Sequence, residues 1–415
     1  MIDLGEFEPS RDAALSKLRG VKPSTYGKTR NFLNGKVTKL SPWITHGMLS
    51  LKEVAEHGWK AEGIGLEDKL IFELGWREFF QHVHRQVGDN ILRDMRPGVW
   101  PGKYARELPA DFLHGQTGVK PIDWAVRSLY ETGYLHNHAR MWVASYLVHL
   151  RKVSWRSGAD WMYGYLLDGD LASNHLSWQW VAGTFSHKPY LFNAENVQKY
   201  APELACKGSV IDTSYDDLED IARSSKTLQP VGKSVSTEVQ EGGEGPGLHS
   251  WPVDTDLLNL MGTRKVDADW CKKWAGKALK LVHPWALREK TVGTYHLGVI
   301  APQFHSKFPW SKKRWAFVLQ AMARCCDTIV ILDSDNLQNL RMALQNDALV
   351  PSSVEIDWTA HPVYCDLHTR LRIRQNPPDL LLPEPKMLQT SFSKFYRKAC
   401  DMAGSLDNLI DTATT

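Results

Sequence analysis

The sequence has few of the features that mark secreted, membrane-bound or metal-binding proteins. Its six cysteines include no pair at CxxC spacing, which argues against a zinc site or a cluster and favours reduced, buried thiols. No segment approaches the roughly 18 consecutive apolar residues of a membrane helix, and the start MIDLGEFEPS lacks a charged region followed by an apolar run. We therefore predict a cytoplasmic protein with no membrane association and no metal site.

A strong charge is also lacking. The formal net charge of +3 over 415 residues allows a locally basic surface but does not by itself indicate nucleic-acid binding. Tryptophan, by contrast, is abundant, with 17 residues. Indole fills cores, stacks on bases and carries electrons, so this enrichment favours all three uses without choosing among them.

Composition and periodicity predict that the chain consists of two domains joined by a linker. Residues 1–206 have apolar positions at helical spacing, and residues 207–250 form an acidic, then Gly-, Ser- and Pro-rich linker that we expect to be flexible after Arg223. Residues 251–415 predict a small parallel α/β domain, with strands at TYHLGVIAP, DTIVILD, SVEIDWT and PDLLLP and a helix at SKKRWAFVLQAMARC. This domain contains neither GxGxxG nor GxxxxGK[ST], so no nucleotide site is assigned to it.

The most informative stretch is LLDGDLASNHLSWQW. Asp170, Asn174 and Trp178 occupy positions i, i+4 and i+8, which on one helix would point a carboxylate, an amide and an indole at the same ligand. Trp180 would project from another side of that helix. The alternative is a half-buried helix whose polar groups are satisfied locally.

Two further predicted helices carry polar groups on apolar faces. IFELGWREFFQHVH places Glu73, Trp76 and Arg77 on its core-facing side, and LHNHARMWVASYL does the same with Asn137 and Arg140. A surface ion pair is the alternative for Glu73 and Arg77. Three helices of this type together indicate convergence on one large polar and aromatic ligand.

The segment VTKLSPWITHGMLS predicts a helix start. Ser41 before Pro42 is a natural N-cap, and hydroxyls, a lysine and free N–H groups there would form an anion site. A phosphate would dock at Thr38, Lys39, Leu40 and Ser41, although a plain capped helix explains the pattern equally well. SLKE from Ser50 has the spacing of a capping box.

Four motifs in this order closely resemble the FAD-binding helical domain of the DNA photolyase and cryptochrome family: TKLSPWITHGMLS, ELGWREFF, TGYLHNHARMWVASYL, and LLDGDLASNHLSWQWVAGT followed by PYLFNAENVQKY. The resemblance runs from about Tyr26 to Tyr200 and implies a mainly α domain that binds a U-shaped FAD. It implies contacts to the FAD phosphates from Tyr26, Thr38, Lys39, Leu40 and Ser41. It places Glu73 and Arg77 near the adenine side and substrate cavity, and around the isoalloxazine Asn137, Arg140, Asp168, Asp170 and Asn174.

The resemblance also implies roles for single residues. Arg140, paired with Asp168, would stabilise a reduced anionic flavin, and Asn174 would face its N5 atom. Trp178 and Trp155 match the inner two members of the family's electron relay. For the third member we can only nominate Trp100 or Tyr104.

The implied activity is light-driven electron transfer from reduced FAD to a flipped-out pyrimidine dimer in single- or double-stranded DNA. Glu73, Asn174, Trp178 and Trp155 would be the catalytic set. Trp76 and Trp180 would embrace the lesion, Glu73 would hydrogen-bond it, and Met141 would line the substrate side. The six-four class carries histidines where this chain has Asn137 and Met141, which favours a cyclobutane dimer.

The chain also departs from the family pattern. The usual N-terminal α/β antenna domain is missing and an α/β segment instead follows the helical domain, while His138 replaces an arginine usual in cyclobutane enzymes of this type. A cryptochrome-like blue-light photoreceptor, signalling to a protein partner through the C-terminal region, is therefore the alternative function. A flavoprotein without photoactivity, or a DNA-binding remnant, is a third.

Overall fold

The structure is a computed structural model that describes residues 2–228, 247–260, 266–267, 271–346 and 350–411. The chain divides into two compact units. The helical unit comprises Ser24–Val37 and Val83–Gly247, and the sheet unit comprises Met1–Pro23, Thr38–His82 and Leu248–Thr415.

The chain up to Arg223 is mainly helical. The α-helices are α1 (Arg11–Arg19), α2 (Pro23–Thr29), α3 (Ser41–Thr45), α4 (Leu51–Glu62), α5 (Lys69–Val87), α6 (Ala110–Leu113), α7 (Lys120–Thr132), α8 (Asn137–Ser145), α9 (Trp155–Tyr165), α10 (Leu171–Ala182), α11 (Ala194–Tyr200) and α12 (Tyr215–Arg223). Short 3₁₀ turns cover Gly88–Leu92 and Pro202–Leu204, and a π-helical turn covers Tyr146–Leu150.

The predicted helix starts are partly confirmed. Ser50 and Glu53 form the capping box at the start of α4, with both reciprocal hydrogen bonds present. The prediction for α3 was one residue off, because Leu40 rather than Ser41 is its N-cap and no side chain caps it. Asp170 is the N-cap of α10 and has extended backbone angles. Asp170 therefore lies one residue before α10, whereas the i, i+4, i+8 spacing had predicted it inside the helix.

The C-terminal region contains a parallel sheet of five strands, which are β2 (Ala278–Val282), β3 (Thr294–Ile300), β5 (Thr328–Ile331), β6 (Ser353–Asp357) and β7 (Arg374–Asn376). Their order in the sheet is β5-β3-β2-β6-β7. A separate antiparallel pair joins β1 (Leu248–His249) to β4 (Trp310–Ser311). The helices of this region are Thr255–Leu260, Pro302–Lys307, Lys312–Cys325, Ser334–Ala343, Leu367–Leu371, Phe392–Ala403 and Leu406–Asp411. The predicted fold class, a mainly helical domain followed by a smaller α/β domain, is confirmed.

Three strand assignments of the parallel sheet differ from the prediction, which missed β2 and the edge strand β7 and placed a strand at PDLLLP. The central strand β2 was missed, because its short ALKLV sequence carries Lys280, whose Nζ lies 3.1 Å from Asp357 Oδ1. The predicted strand PDLLLP is wrong, since its prolines cannot donate to a ladder and residues 378–383 form no strand. The N–H groups of Leu381 and Leu382 instead donate to the Glu78 carboxylate at 2.6 and 2.8 Å.

The core of the sheet unit contains a cluster of closely packed aromatic rings. Trp310 and Trp315 are fully buried with ring centroids 4.8 Å apart. The Arg314 guanidinium lies over the Trp310 ring at 4.2 Å, and Trp315 Nε1 donates to the His249 carbonyl at 2.9 Å. These contacts fix the indoles as packing elements around a buried cation.

Part of the predicted linker is ordered. Its acidic run forms α12, with Ser214 accepting a hydrogen bond from the Asp217 N–H as the N-cap, whereas positions 229–246 lie outside the described residues. All six cysteines are free thiols, and four are buried as predicted, whereas Cys365 and Cys400 are half-buried. Among the described residues, no helix combines the length and apolar character needed to cross a membrane.

Candidate flavin and electron-transfer site

A buried ion pair lies beside the start of α10 in the helical unit. Arg140 on α8 donates from Nη2 to Asp168 Oδ2 at 2.7 Å and from Nε to the Leu135 carbonyl at 2.7 Å. The Asp168 side chain is 3% exposed and that of Arg140 is 24% exposed. The pairing that the family resemblance implied is present, and it fixes a cation at a largely desolvated position.

Asp170 and Asn174 are both buried next to this pair in sequence. Asp170 Oδ1 accepts a hydrogen bond from the Ser173 N–H at 2.7 Å and so caps α10. This agrees with the alternative hypothesis for this stretch, in which polar groups are satisfied locally. Asn174 Nδ2 donates to the Ala159 carbonyl of α9 at 2.8 Å. That bond orients the amide so that its nitrogen faces α9 and its oxygen faces away.

Sequence reasoning missed a histidine that interacts with Asp170. Burial lowers the pKa of His84 to about 4, although the negative charges of Asp170 and Asp89 oppose that shift. His84 is therefore neutral at pH 7, and no motif spacing connects it with the carboxylates that influence it. Its relation to Asp170 follows only from the packing of the helical unit.

Trp178 and Trp155 lie on neighbouring helices and are both buried, at 2% and 6% exposure. The Trp178 indole packs directly on Gly158 of α9, where an added Cβ would lie 2.4 Å from its ring carbons Cζ3 and Cη2. Trp155 is the first residue of the same helix, one turn before that glycine. The absence of a side chain at position 158 thus lets the indole reach the backbone of the helix that begins with Trp155.

The Trp155 ring nitrogen donates to a carboxylate. The distance from Nε1 to Asp94 Oδ1 is 2.5 Å, which is short for a hydrogen bond donated by nitrogen. Asp94 is exposed on the chain segment before α6. Nothing in the sequence motifs indicated this residue.

The two nominees for a third relay member lie together. The Trp100 and Tyr104 rings meet edge to face with centroids 5.1 Å apart. Their loop is hydrogen-bonded to the residues just before Trp155, since the Ala105 N–H donates to the carbonyl of Lys152 and its carbonyl accepts from the N–H of Ser154. Lys152 Nζ lies 5.2 Å from the Trp100 ring centroid.

The other predicted residues of the helical unit are less buried. Asn137 is exposed, and its Nδ2 lies 3.7 Å from the sulfur of half-buried Met141. Trp180 is 36% exposed, with its ring 6.0 Å from that of Tyr190. Tyr26 is half-buried on α2. Trp180 therefore presents an indole to solvent from the helix that buries Trp178.

The remaining predicted site residues lie in the sheet unit. Lys39 has left-handed backbone angles, with φ 53°, and its Nζ donates to Glu6 Oε1 at 2.6 Å. The Leu40 N–H lies 3.4 Å from Thr38 Oγ1, and Ser41 opens α3.

Glu73, Trp76 and Arg77 are half-buried on α5. The Trp76 ring stacks on Phe392, with centroids 4.0 Å apart and an angle of 12° between the rings. One face of Trp76 is thus covered by the helix Phe392–Ala403.

The family described as "FAD binding domain of DNA photolyase" matches residues 70–242. This segment contains the Arg140–Asp168 pair, Asn174 and both buried indoles. The matched segment is similar to the FAD-binding domains of DNA photolyases. The predicted resemblance and the predicted cofactor, FAD, are both confirmed, whereas Tyr26 and the segment Thr38–Ser41 precede the matched range.

Individual relatives include both repair and cryptochrome names. The chain is 34% identical over 227 residues to a deoxyribodipyrimidine photo-lyase of Streptomyces griseus, covering 50% of this chain and 48% of the relative. It is 31% identical over 236 residues to a chloroplastic/mitochondrial cryptochrome DASH of Ostreococcus tauri, covering 54% and 38%. A solved cryptochrome of Synechocystis sp. PCC6803 is similar at 23% identity and TM-score 0.43, over 56% of each chain. The chain thus spans about half or less of the length of the two curated relatives.

The donor set of the helical unit fits a flavin chemically. A fixed guanidinium suits an anionic ring system, and a buried amide with its oxygen directed away from α9 suits a ring nitrogen that gains and loses a proton. The buried indoles of Trp155 and Trp178 belong to a residue type that can give up one electron. This photolyase-type domain therefore has the residue types that flavin photochemistry requires.

Proposed function

We propose that the protein is a FAD-dependent, light-driven DNA repair enzyme that acts on cyclobutane pyrimidine dimers. One observation carries this proposal: helix α10 buries Asn174 and Trp178 while exposing 36% of Trp180. A single rigid element thus joins the flavin environment to a solvent-facing indole. A flipped base can stack on such an indole.

FAD supplies light absorption and the transferred electron when it is bound. Arg140, held by Asp168, would stabilise negative charge on the ring system, and the uncharged Asn174 amide oxygen would accept a hydrogen bond from N5 when that atom carries a proton. Asp170 orders the start of α10 and thereby positions Asn174. Asn137 completes the proposed surroundings of the ring.

The dinucleotide tail of FAD is assigned to the residues from the earlier motifs. Phosphate contacts are proposed for Tyr26, Thr38, Lys39, Leu40 and Ser41, with Glu73 and Arg77 on the adenine side. In the described structure Lys39 pairs with Glu6. Because that carboxylate competes with a phosphate for the ammonium, Lys39 is the phosphate assignment most open to a binding test.

The proposed lesion site uses Trp76, Trp180, Glu73 and Met141. Each of these indoles can stack on a pyrimidine of the dimer, and the Glu73 carboxyl can hydrogen-bond a pyrimidine edge. Because Phe392 covers one face of Trp76, the lesion would use the other face or the edge of that ring. Electrons would reach the flavin during photoreduction through Trp155 and Trp178, with Trp100 and Tyr104 as candidates for an outer donor.

The direct test is repair itself. Purified, photoreduced protein is mixed with an oligonucleotide containing one thymine dimer, as a single strand and as a duplex, and then illuminated. Restoration of intact thymines in light but not in darkness is the expected result. A flavin-loaded Trp178→Phe sample, reduced chemically beforehand, serves as a control because repair from a prereduced flavin does not need the relay. No restoration in either strand form would overturn the proposal.

A photoreceptor is the second candidate, favoured by the cryptochrome DASH names among the relatives. It would use the same flavin and indoles but signal to a protein partner through the region that begins with α12. Limited proteolysis in light and in darkness tests this function. A light-dependent change in cleavage within residues 207–250 would support it, and identical digests would count against it.

A further inference from the structure

We propose that the Asp94 carboxylate takes the indole proton of Trp155 when Trp155 is oxidised, so that the electron vacancy is trapped on Trp155 as a neutral radical. The inference rests on the proposed photoreduction relay. It assigns a role to a residue outside every family motif in the sequence. It also gives the relay an end point within the helical unit.

The geometry fits a proton transfer. Trp155 Nε1 and Asp94 Oδ1 are 2.5 Å apart, so the proton would move only a fraction of an ångström along an existing hydrogen bond. The Trp155 ring is 6% exposed, whereas Asp94 is exposed. A proton that reaches the carboxylate can therefore pass on to water, while the radical stays shielded from solvent.

The chemistry balances in electrons and protons. Trp155 gives one electron to the oxidised Trp178, whose own electron has gone to the light-excited flavin, the oxidant of the proposed function. Loss of that electron makes the indole N–H far more acidic than in neutral tryptophan. The Nε1–H bond then breaks, an O–H bond forms on Asp94, and a neutral indolyl radical and a carboxylic acid remain. Because that radical has lost its proton, return of the electron alone no longer restores the starting indole.

Asp94 is held in place by the helices that carry the two indoles. Gln179, fully buried beside Trp178 on α10, donates from Nε2 to the Ile91 carbonyl at 2.7 Å and accepts from the Met95 N–H at 3.0 Å. Arg156 of α9 donates to the Leu92 carbonyl at 3.0 Å. The segment that presents the carboxylate is thus fastened on both sides of Asp94, which argues against a chance surface contact.

Other charged and titratable groups surround this pair. Arg156 is bonded to Asp160 at 2.8 Å, and Asp160 also lies 2.9 Å from His175 Nε2. The His175 ring lies edge to face with Trp155 at 6.3 Å. Burial raises the pKa of Tyr104, and the negative charge of Asp94 raises it further. Asp94 therefore favours positive charge on Trp155 and disfavours an ionised Tyr104.

The test compares wild type with Asp94→Asn in the FAD-loaded protein after a laser flash. Asparagine keeps the size and a hydrogen-bond acceptor but is too weak a base to take the proton. We expect the neutral tryptophan radical in wild type, with slower formation in deuterated water. In the variant we expect a radical cation that loses its proton about 10²-fold more slowly, near the lower end of what a positioned base contributes. Glu107→Gln, an exposed carboxylate of the neighbouring loop, is the matched control and should behave as wild type.

A second measurement does not depend on flavin. In ¹⁵N-tryptophan-labelled protein, the Trp155 indole proton, assigned with Trp155→Phe, should resonate downfield because of its short hydrogen bond and should move upfield in Asp94→Asn. Equal radical kinetics in wild type and Asp94→Asn would overturn the inference and leave the repair proposal intact. So would loss of the long-lived radical in Tyr104→Phe or Trp100→Phe but not in Asp94→Asn. Absence of any tryptophan radical in wild type would overturn the relay and this inference together.

Discussion

Trp155 in the helical unit and Trp310 in the sheet unit are both buried indoles, but their neighbours carry opposite charges. Trp155 donates its ring N–H to the Asp94 carboxylate. Trp310 lies under the Arg314 guanidinium, 4.2 Å from its ring centroid. A carboxylate stabilises positive charge on a ring and can take its proton, whereas a guanidinium does neither.

From this difference we predict that burial and ring contacts alone do not make a tryptophan an electron donor. The Trp310 and Trp315 rings are close enough for electron transfer between them, with centroids 4.8 Å apart. The buried Arg314 guanidinium over Trp310 nevertheless opposes loss of an electron from that ring. Their contacts serve packing. In the helical unit the charges around the indole favour oxidation, and the predictions below test this contrast.

The largest expected effect is on folding of the sheet unit. Trp310→Ala should lower the free energy of unfolding by about 3–5 kcal/mol, since it empties a fully buried site. Urea denaturation monitors the loss. In the milder Trp310→Phe, which keeps an aromatic ring, the photoreduction rate per bound FAD should equal that of wild type. A slower rate in that variant would show that Trp310 carries electrons and would remove the contrast.

Acidification should weaken both units in the same way, because each buries a neutral histidine. Burial lowers the pKa of His149 and of His283 from 6.5 to about 4. The unfolded chain then binds more protons than the folded chain between pH 6.5 and pH 4, so stability is retained above pH 6.5 and falls as the pH drops through this window. For His149 the loss is about 3 kcal/mol by pH 4, at about 1.4 kcal/mol per pKa unit.

Urea midpoints measured from pH 7 to pH 4 check this prediction. His149→Gln should show a shallower decline than wild type. The exposed His187→Gln should keep the wild-type slope. Parallel slopes in all three proteins would show that folding does not lower the pKa of His149.

Replacement of the first donor should affect electron transfer without affecting the fold to the same degree. Trp178→Phe still packs on Gly158 and should retain FAD, but phenylalanine is a much poorer electron donor. We expect photoreduction roughly 10²-fold slower, equivalent to about 2.7 kcal/mol in the barrier. Absorption spectra during illumination with a thiol measure it. A wild-type rate with full flavin content would reject Trp178 as a donor.

The smallest expected effect concerns the exposed indole of the same helix. Trp180→Ala should weaken binding of a dimer-containing oligonucleotide by about 1–3 kcal/mol if a base stacks there, and should leave photoreduction unchanged. Fluorescence anisotropy with damaged and undamaged strands measures the difference at constant salt. Equal affinities for the damaged strand in wild type and variant would remove Trp180 from the lesion site.

Sequence motifs predicted the parts of the helical unit where several residue types recur at fixed spacing. The cofactor, the Arg140–Asp168 pair and the helix carrying Asn174 and Trp178 all follow from such motifs. Asp170 shows the limit of spacing arguments, because periodicity assumes a continuous helix and cannot locate its first residue. Asp170 fell on the N-cap, where its side chain serves the backbone of α10.

Residues that act through tertiary contacts could not be predicted in this way. Asp94 lies on a segment without regular spacing, and its bond to Trp155 depends on the Gln179 and Arg156 hydrogen bonds that hold that segment. The strand β2 was not recognised in the sequence because it carries the charged Lys280. That charge is compensated by Asp357, which lies on a strand far along the chain. In both cases the partner that explains the residue is distant in sequence.

Gly158 determines how closely the Trp178 indole approaches the backbone of α9, the helix that begins with Trp155. A methyl group at this position would force the Trp178 indole outward, since its Cβ would lie 2.4 Å from two ring carbons. Electron tunnelling weakens steeply as separation grows, so in the proposed relay Gly158 would set the distance over which Trp155 passes an electron to Trp178. For protein engineering, position 158 offers a way to adjust the speed of charge separation while every light-absorbing and charge-carrying group stays in the chain.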